Sequence, residues 1–206
     1  MLIKINPLNP NPRGVAQVIE CLKDGGIIIY PTDTIYGIGC DIFQQKAVQR
    51  IAKIKKIDLK KQNFSFVCSS LSQLSHFTLP INRNIYKNIN RVLPGPYTFI
   101  LKANSRIPKL FKTKKKTIGI RIPNHNIPQL LVNEIGNPIL SSSVRNDDRF
   151  IEYSTDPELI HKKYSNQIDI VIDSGIGSSV PSTVIDYSSG KLKIIRKGLG
   201  EIEGLF

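Results

Sequence analysis

Ile27-Ile28-Ile29-Tyr30, followed by Pro31-Thr32-Asp33-Thr34-Ile35-Tyr36-Gly37-Ile38-Gly39, is the stretch on which the fold turns. Four consecutive large apolar residues, three of them β-branched, predict a short strand buried on both faces. Pro31 ends it. The loop that follows is bounded by proline and glycine and carries two hydroxyls and a carboxylate. Polar residues directly after a buried strand are where open α/β sheets take ligands. Hydroxyls in that place suit an amino or carboxylate group of a ligand. They equally suit a local turn in which Thr32 and Asp33 bond the backbone.

Helices flank this strand on both sides. Asn11-Pro12 pairs a capping side chain with a proline at the first helical position, and Val15, Val18, Ile19 and Leu22 recur at helical spacing up to Gly25-Gly26. Gln45 to Lys56 predicts a second helix, with Ala47, Val48, Ile51 and Ile54 on one face. Further on, strands are predicted over Phe64–Cys68, Tyr97–Leu101, Thr117–Ile122 and Asp169–Ile172, with a short one from Pro138 to Leu140. Helices are predicted from Ile81 to Val92, after Asn124 as a cap, and from Asp156-Pro157. Thr183–Asp186 and Leu192–Ile195 read as a hairpin across Ser188-Ser189-Gly190. Asn146 to Thr155 reads as a polar loop. Strands and helices that intermingle in this way predict an α/β protein with a mixed sheet.

At 206 residues, 40% hydrophobic and 22% charged, the chain is expected to form a single domain over residues 1–206, with a real core. No apolar run approaches the roughly 18 residues of a membrane span. The N-terminal residues carry no basic segment leading into an apolar one, so the cytoplasm is the expected location. Cys21, Cys40 and Cys68 lie far apart, as do His76, His125 and His161. Free thiols and no zinc site are the expectation. The formal net charge of +13 is unevenly spread. Residues 42–133 hold 18 Lys or Arg against the single acid Asp58, whereas the rest holds 11 basic and 15 acidic residues. Such a half favours a polyanion, either RNA or a nucleotide. The Ile-, Lys- and Asn-rich composition adds lysines everywhere and does not explain the asymmetry. The run from Lys112 to Lys116 by itself reads as a solvated face.

No Gly-rich phosphate loop, metalloprotease helix or nucleophile elbow is present. Four polar clusters remain beside apolar segments. Thr32 to Thr34 is the first. Ser141-Ser142-Ser143 after Leu140 is the second, either a phosphate cradle or the start of a loop. Arg121, inside Gly119-Ile120-Arg121-Ile122-Pro123, is the third. An arginine in an apolar strand needs a charged partner, which is a ligand anion or an internal acid. Ser182 in Pro181-Ser182-Thr183-Val184-Ile185-Asp186, with Arg196 across the hairpin, is the fourth.

Together these segments resemble the YrdC-like threonylcarbamoyl-AMP synthase family. The Tyr30–Asp41 stretch is similar to its opening motif, Pro94–Phe99 to its P-G-P-x-T segment, and Thr117–His125 to its V-R-x-P-x-H strand and turn. Ser141–Ser143 matches the front of S-T-S-A-N. Pro181–Asp186 and Arg196-Lys197-Gly198 match P-S-T-V-V-D and R-x-G. Six motifs agree in order and spacing from about Asn11 to Gly200. The resemblance implies a twisted, open, mostly parallel mixed sheet flanked by helices, with a large basic concave surface. It implies a pocket for ATP with magnesium, threonine and bicarbonate. The products would be threonylcarbamoyl-adenylate, used in tRNA threonylcarbamoyladenosine modification, and pyrophosphate. Double-stranded RNA is a further implied partner. Carried over by motif, Thr34, Arg121, Ser141 and Ser182 would hold the threonine. Lys55, Thr117, Ser143 and Arg196 would lie on the nucleotide side. No metal ligand and no general acid or base is implied, because attack on the α-phosphorus needs positioning and charge neutralisation above all.

Two positions depart from the synthases. Their K-x-R triplet is Lys55-Lys56-Ile57 here, with Asp58 in place of the following proline. Their S-x-N is Ser143-Val144-Arg145, with Asn146 one place beyond. Both changes, with Asn63-Phe64, resemble the YciO-like branch. One lost charge-assisted phosphate contact is worth about 1.5–3 kcal/mol, a step slower by about 10- to 100-fold. The expectation is therefore a YciO-like protein that binds a nucleotide, double-stranded RNA or both in a basic cavity. The alternative is an active threonylcarbamoyl-AMP synthase.

Overall fold

The computed structural model describes residues 1–58, 64–111, 116–144 and 155–203. Its strands are β1 (Leu2–Lys4), β2 (Ile28–Tyr30), β3 (Gly37–Asp41), β4 (Ser65–Val67), β5 (Tyr97–Lys102), β6 (Thr117–Arg121), β7 (Ile139–Ser143), β8 (Ile170–Asp173), β9 (Thr183–Asp186) and β10 (Lys193–Arg196). The helices are α1 (Pro12–Lys23), α2 (Gln45–Lys55), α3 (Leu71–Ser75), α4 (Arg83–Val92), α5 (Asn126–Ile135) and α6 (Pro157–Tyr164). Among the described residues no helix is long and apolar enough to cross a membrane.

The helix starts follow local chemistry. The Asn11 side chain accepts from the Gly14 amide at 2.6 Å, with Pro12 at the first helical position. Gly25, at φ +80°, takes the left-handed turn after α1. Asp156 caps α6 in the same manner. At α5 the cap is His125 rather than Asn124. Its Nδ1 accepts from the Ile127 amide at 3.2 Å, while the Asn124 amide donates to Asp33 at 2.9 Å.

All ten strands form one sheet in the order β1-β8-β2-β3-β7-β4-β6-β5-β9-β10. Among the described ladders, β1–β8, β8–β2, β4–β6 and β5–β9 are parallel, and the other five are antiparallel. The sheet is thus mixed, as expected, with the parallel share at four ladders of nine. Of the stretch Pro31 to Gly39, expected as loop, residues 37–39 belong to strand β3, which runs on to Asp41. Gly37 and Gly39 read as breakers in sequence, yet they pair with Tyr30 and Ile28 on one side and with Ser143 and Ser141 on the other. For the same reason Ser141–Ser143 is strand, not the start of a loop. Most of the expected polar loop, 146–154, and the lysines at 112, 114 and 115 lie outside the described residues.

Strand alternation divides the sheet into two unlike faces. On one face, Ile27, Ile29, Ile38, Cys40, Phe66, Phe99, Ile118, Ile120, Leu140 and Ile185 pack with Ala47, Val48 and Ile51 of α2, Leu74, Ile89, and Ile160 and Tyr164 of α6. On the other, Ile28, Tyr30, Val67, Ile139, Ile170 and Ile172 pack with Val18 and Leu22 of α1 and Ile127, Leu131 and Val132 of α5. That second core reaches only part of the way across. Where it ends, the side chains of the same face turn small or polar.

Replacing Asn11 by Ala is expected to lower stability by about 1 kcal/mol, and Asn11→Gly by only a few tenths. Urea unfolding would show it, with an equal loss for both variants counting against the capping bond as the cause.

Candidate functional site

The uncovered part of the second face holds a cavity of about 260 Å³. It is lined from seven consecutive strands. β3 gives Gly37, β7 gives Ser141, Ser142 and Ser143, and β4 gives Ser65. β6 gives Gly119 and Arg121, β5 gives Thr98 and Ile100, β9 gives Val184, and β10 gives Arg196. Thr34, Ile35, Pro181 and Ser182 close its rim. Of the eight residues expected from motif carry-over, Thr34, Arg121, Ser141, Ser182, Ser143 and Arg196 therefore line one cavity although they span positions 34 to 196. Lys55 and Thr117 do not line it.

Arg121 is the charge at its floor. Its Nη2 donates to Asp33 Oδ1 at 2.8 Å and to Thr34 Oγ1 at 3.0 Å, so both Nη2 protons are used. Of the two partners left open by the sequence, the protein itself supplies the acid. Asp33 is fixed from its other oxygen by the Asn124 amide. The Arg121 Nε, in contrast, is buried with no partner. The guanidinium thus lines the cavity with one donor left unpaired in the protein, beside the carboxylate that orients it.

Ser141 is held from behind. The Tyr30 hydroxyl donates to its Oγ at 2.8 Å across 111 residues of sequence. The Tyr30 ring reaches Ser141 by passing over the glycines of β3. A Cβ on Gly37 would lie 3.2 Å from both Ser141 Oγ and Tyr30 Cζ, and one on Gly39 would lie 3.0 Å from Tyr30 Cε1. Burial pushes the Tyr30 hydroxyl up to about 12, against the opposing pull of Ser141 and Arg121, so it stays protonated and donating. At the other rim, Ser182 Oγ lies 2.9 Å from Thr98 Oγ1. Arg196 is steered by the Ser182 carbonyl, which accepts from its Nη2 at 3.0 Å and its Nε at 3.2 Å. Thr183 Oγ1 fixes the following chain by accepting from Gly198 at 3.0 Å and donating to Gly200 at 2.6 Å.

Lys55 lies behind β7. Its Nζ donates to the Ser143 carbonyl at 2.7 Å, and burial pulls its pKa down to about 8. Ile57 is packed against the core. Thr117 shares the face of Gly119 and Arg121, and its buried Oγ1 has no partner. Lys60, Asn63, Arg145 and Asn146 lie outside the described residues. The sequence motifs contain Tyr30 and Thr98 without giving them a task, offer Asp33 only a local turn in place of its bonds to Arg121 and the Asn124 amide, and leave out Ser65. The signal was alternation. In Thr117-Ile118-Gly119-Ile120-Arg121 and Tyr97-Thr98-Phe99-Ile100-Leu101 every second residue belongs to the core and the rest to the open face.

This arrangement gathers two guanidiniums and seven hydroxyl residues around a space with no carboxylate on its lining among the described residues. It suits an anion-bearing ligand. Two glycines on the floor keep that space free.

Residues 20–198 match the Sua5/YciO/YrdC family model, described as telomere recombination. Escherichia coli YciO, named as an uncharacterized protein, is 36% identical over 97% of this chain and 96% of its own. Its crystal structure superposes with a TM-score of 0.92, covering 100% of this chain and 99% of that one. A threonylcarbamoyl-AMP synthase of Coxiella burnetii is 29% identical, over 87% of this chain and 96% of its own. The fold is also that of P. abyssi Sua5 complexed with L-threonine, with a TM-score of 0.85 at 23% identity over 96% of this chain and 57% of that one.

Gly39→Ala would drive its methyl to 2.7 Å from Ile139 Cγ2 and against the Leu140 carbonyl. A loss of about 1–3 kcal/mol is expected, and a smaller one for Gly37→Ala. Equal losses in thermal unfolding would refute this ordering. Lys55 gives a pH test. Its folded pKa of about 8 lies below its ordinary 10.5, so the unfolded chain binds more protons between these values. Stability contributed through Lys55 therefore rises with pH from about 8 to 10.5. The difference between the wild type and Lys55→Met should shift in the wild type's favour over that window and stay flat below pH 7.

Proposed function

The chain belongs to the Sua5/YciO/YrdC family, and on that premise we propose that it is a YciO-like ligand-binding protein related to tRNA threonylcarbamoyladenosine modification. Its open sheet face takes an amino acid through its carboxylate together with the phosphate end of a nucleotide. Its basic half takes RNA. One observation carries this reading: six side chains of the resemblance meet in one cavity, with Arg121 among them and oriented by Asp33. Arg121, Ser141, Ser182 and Thr34 are assigned to the amino acid, and Ser143 and Arg196 to the phosphates. A space of about 260 Å³ is smaller than the roughly 300–1,000 Å³ that encloses a drug-sized ligand, so the nucleoside extends beyond it.

Binding is favoured over rapid adenylate formation by the second helix. Lys55 meets the Ser143 carbonyl and Ile57 packs on the core, so no guanidinium from this triplet reaches a triphosphate. The alternative, an active threonylcarbamoyl-AMP synthase, is favoured by the retention of six polar side chains in one place. In that case ATP and its magnesium are substrates. Among the described residues no group of three or more His, Cys, Asp or Glu is placed to hold a metal of its own.

Incubation with ATP, magnesium, L-threonine and bicarbonate, with pyrophosphate and threonylcarbamoyl-adenylate followed, separates the two. The expected result is calorimetric binding of L-threonine and ATP with little or no turnover. Arg121→Ala should weaken L-threonine binding at least about tenfold, in line with the loss of a charge-assisted pair. Turnover at a rate typical of enzymes, about 1 s⁻¹ or more, would establish the synthase instead. For RNA, the 18 basic residues of 42–133 predict that log affinity for a duplex falls against log salt with a slope steeper than about −3, roughly four phosphates. A flat dependence would remove RNA from the reading.

A further inference from the structure

We propose that Tyr30 and Thr32, neither of which lines the cavity, fix the direction in which its two central hydroxyls point their protons. Ser141 becomes a donor and Thr34 an acceptor only. The inference rests on the reading of the cavity as an amino-acid site and specifies what that ligand must present.

The argument is proton accounting. A threonine or serine hydroxyl has one proton and two lone pairs. Thr32 spends its proton on the Ile35 carbonyl at 2.8 Å. Its oxygen already accepts from the Thr34 amide at 3.0 Å. The remaining contact, Thr32 Oγ1 to Thr34 Oγ1 at 3.1 Å, therefore takes the proton of Thr34, because Thr32 has none left to give. Thr34 Oγ1 also accepts from Arg121 Nη2. Its proton and one lone pair are gone, and a single lone pair remains for the cavity. Ser141 is wired the opposite way. It accepts the Tyr30 proton at 2.8 Å, and among the described residues its own proton has no acceptor. That proton is aimed at the ligand.

The cavity therefore presents a donor from Ser141 beside the Arg121 side chain on its lining, and one acceptor at Thr34, which bonds the same guanidinium. An anion meets the first two and an N–H donor meets the third. A molecule with a carboxylate and an ammonium on neighbouring atoms, an α-amino acid, satisfies all three. A carboxylic acid without the ammonium leaves the Thr34 lone pair unmet. Tyr30 and Thr32 are positioning residues in this scheme, since each acts only through the hydroxyl in front of it.

The test uses the full chain and two probes, L-threonine and 3-hydroxybutyrate, which lacks the ammonium. The wild type should prefer L-threonine by about tenfold or more, the worth of a charge-assisted bond. In Thr32→Val the Thr34 proton loses its acceptor and turns toward the cavity, and the preference should shrink to about threefold or less. Thr32→Ser keeps the wiring and should restore it. Tyr30→Phe should weaken both probes together and leave their ratio unchanged. A folded Thr32→Val protein that keeps the full preference overturns the proposal. A neutron structure of the deuterated wild type reads the wiring without any variant. Deuterons from Thr34 toward Thr32, from Thr32 toward the Ile35 carbonyl and from Tyr30 toward Ser141 support it, and a Thr34 deuteron in the cavity refutes it. If the wild type binds neither probe, the amino-acid reading and the ligand class fall, while the deuteron positions still decide the wiring.

Discussion

A ten-stranded sheet has two faces to cover, and this chain covers one and a part of the other. That shortfall governs the rest of the structure. α2, α3, α4 and α6 supply one continuous core, whereas α1 and α5 reach only the second face around β8, β2 and the neighbouring parts of β7 and β4. Beyond them, among the described residues, the same face from β3 to β10 holds the cavity. Apolar side chains there would remain in water, at roughly 25 cal/mol per Å² left unburied. The strands instead carry Gly37, Ser65, Thr98, Gly119, Arg121, Ser141 and Ser143 on that side while keeping Ile, Phe and Leu on the other. The binding space is the part of the sheet that the fold leaves bare.

Within that space the Arg121–Asp33 pair sets the electrostatics. Both side chains are about nine-tenths buried, at 10% exposure each. A pair so placed is weak support for stability by itself, since desolvation offsets the attraction, but loss of one member leaves a buried charge unmatched at about 3–5 kcal/mol. Asp33 therefore acts as the buried counter-charge that matches and orients the guanidinium. The second fastening of Asp33, to the Asn124 amide, ties the loop after β2 to the turn after β6. Asp33 and Asn124 are 91 residues apart in sequence, and both segments border the cavity through Thr34 and Arg121.

Much of this was legible in the chain because the signals were local. The Asn11-Pro12 cap, the Asp156-Pro157 cap and the hairpin turning at Gly190 need only neighbours a few residues away. The β3 strand was not legible. Gly37-Ile38-Gly39-Cys40-Asp41 has a single β-branched residue, and its strand character comes from two partners, β2 and β7, one of them a hundred residues downstream. Residues 2–4 were equally silent, since the short β1 is held by β8 at the far end of the chain. The site was half legible. Motif resemblance gathered Thr34, Arg121, Ser141 and Ser182, but it carries no information on what stands behind them. The Tyr30–Ser141 bond and the diversion of Lys55 to the Ser143 carbonyl are facts of packing, invisible without the sheet order.

That diversion bears on how one fold serves two kinds of protein. A lysine aimed at a triphosphate must keep its charge in a wet, anionic place. Lys55 is buried, with its pKa drawn down toward 8, and its ammonium holds the end of the strand that carries Ser143. Next to it, Ile57 packs against the core. The floor of the cavity, by comparison, keeps its full set: a charged arginine, two hydroxyls of opposite polarity and the glycines that make room for them. The cavity lining thus belongs to strand faces shaped by the sheet, whereas Lys55 and Ile57, at the end of α2, serve the end of a strand and the core. On the proposed reading, recognition of a small ligand depends on the first set and survives a change confined to the second.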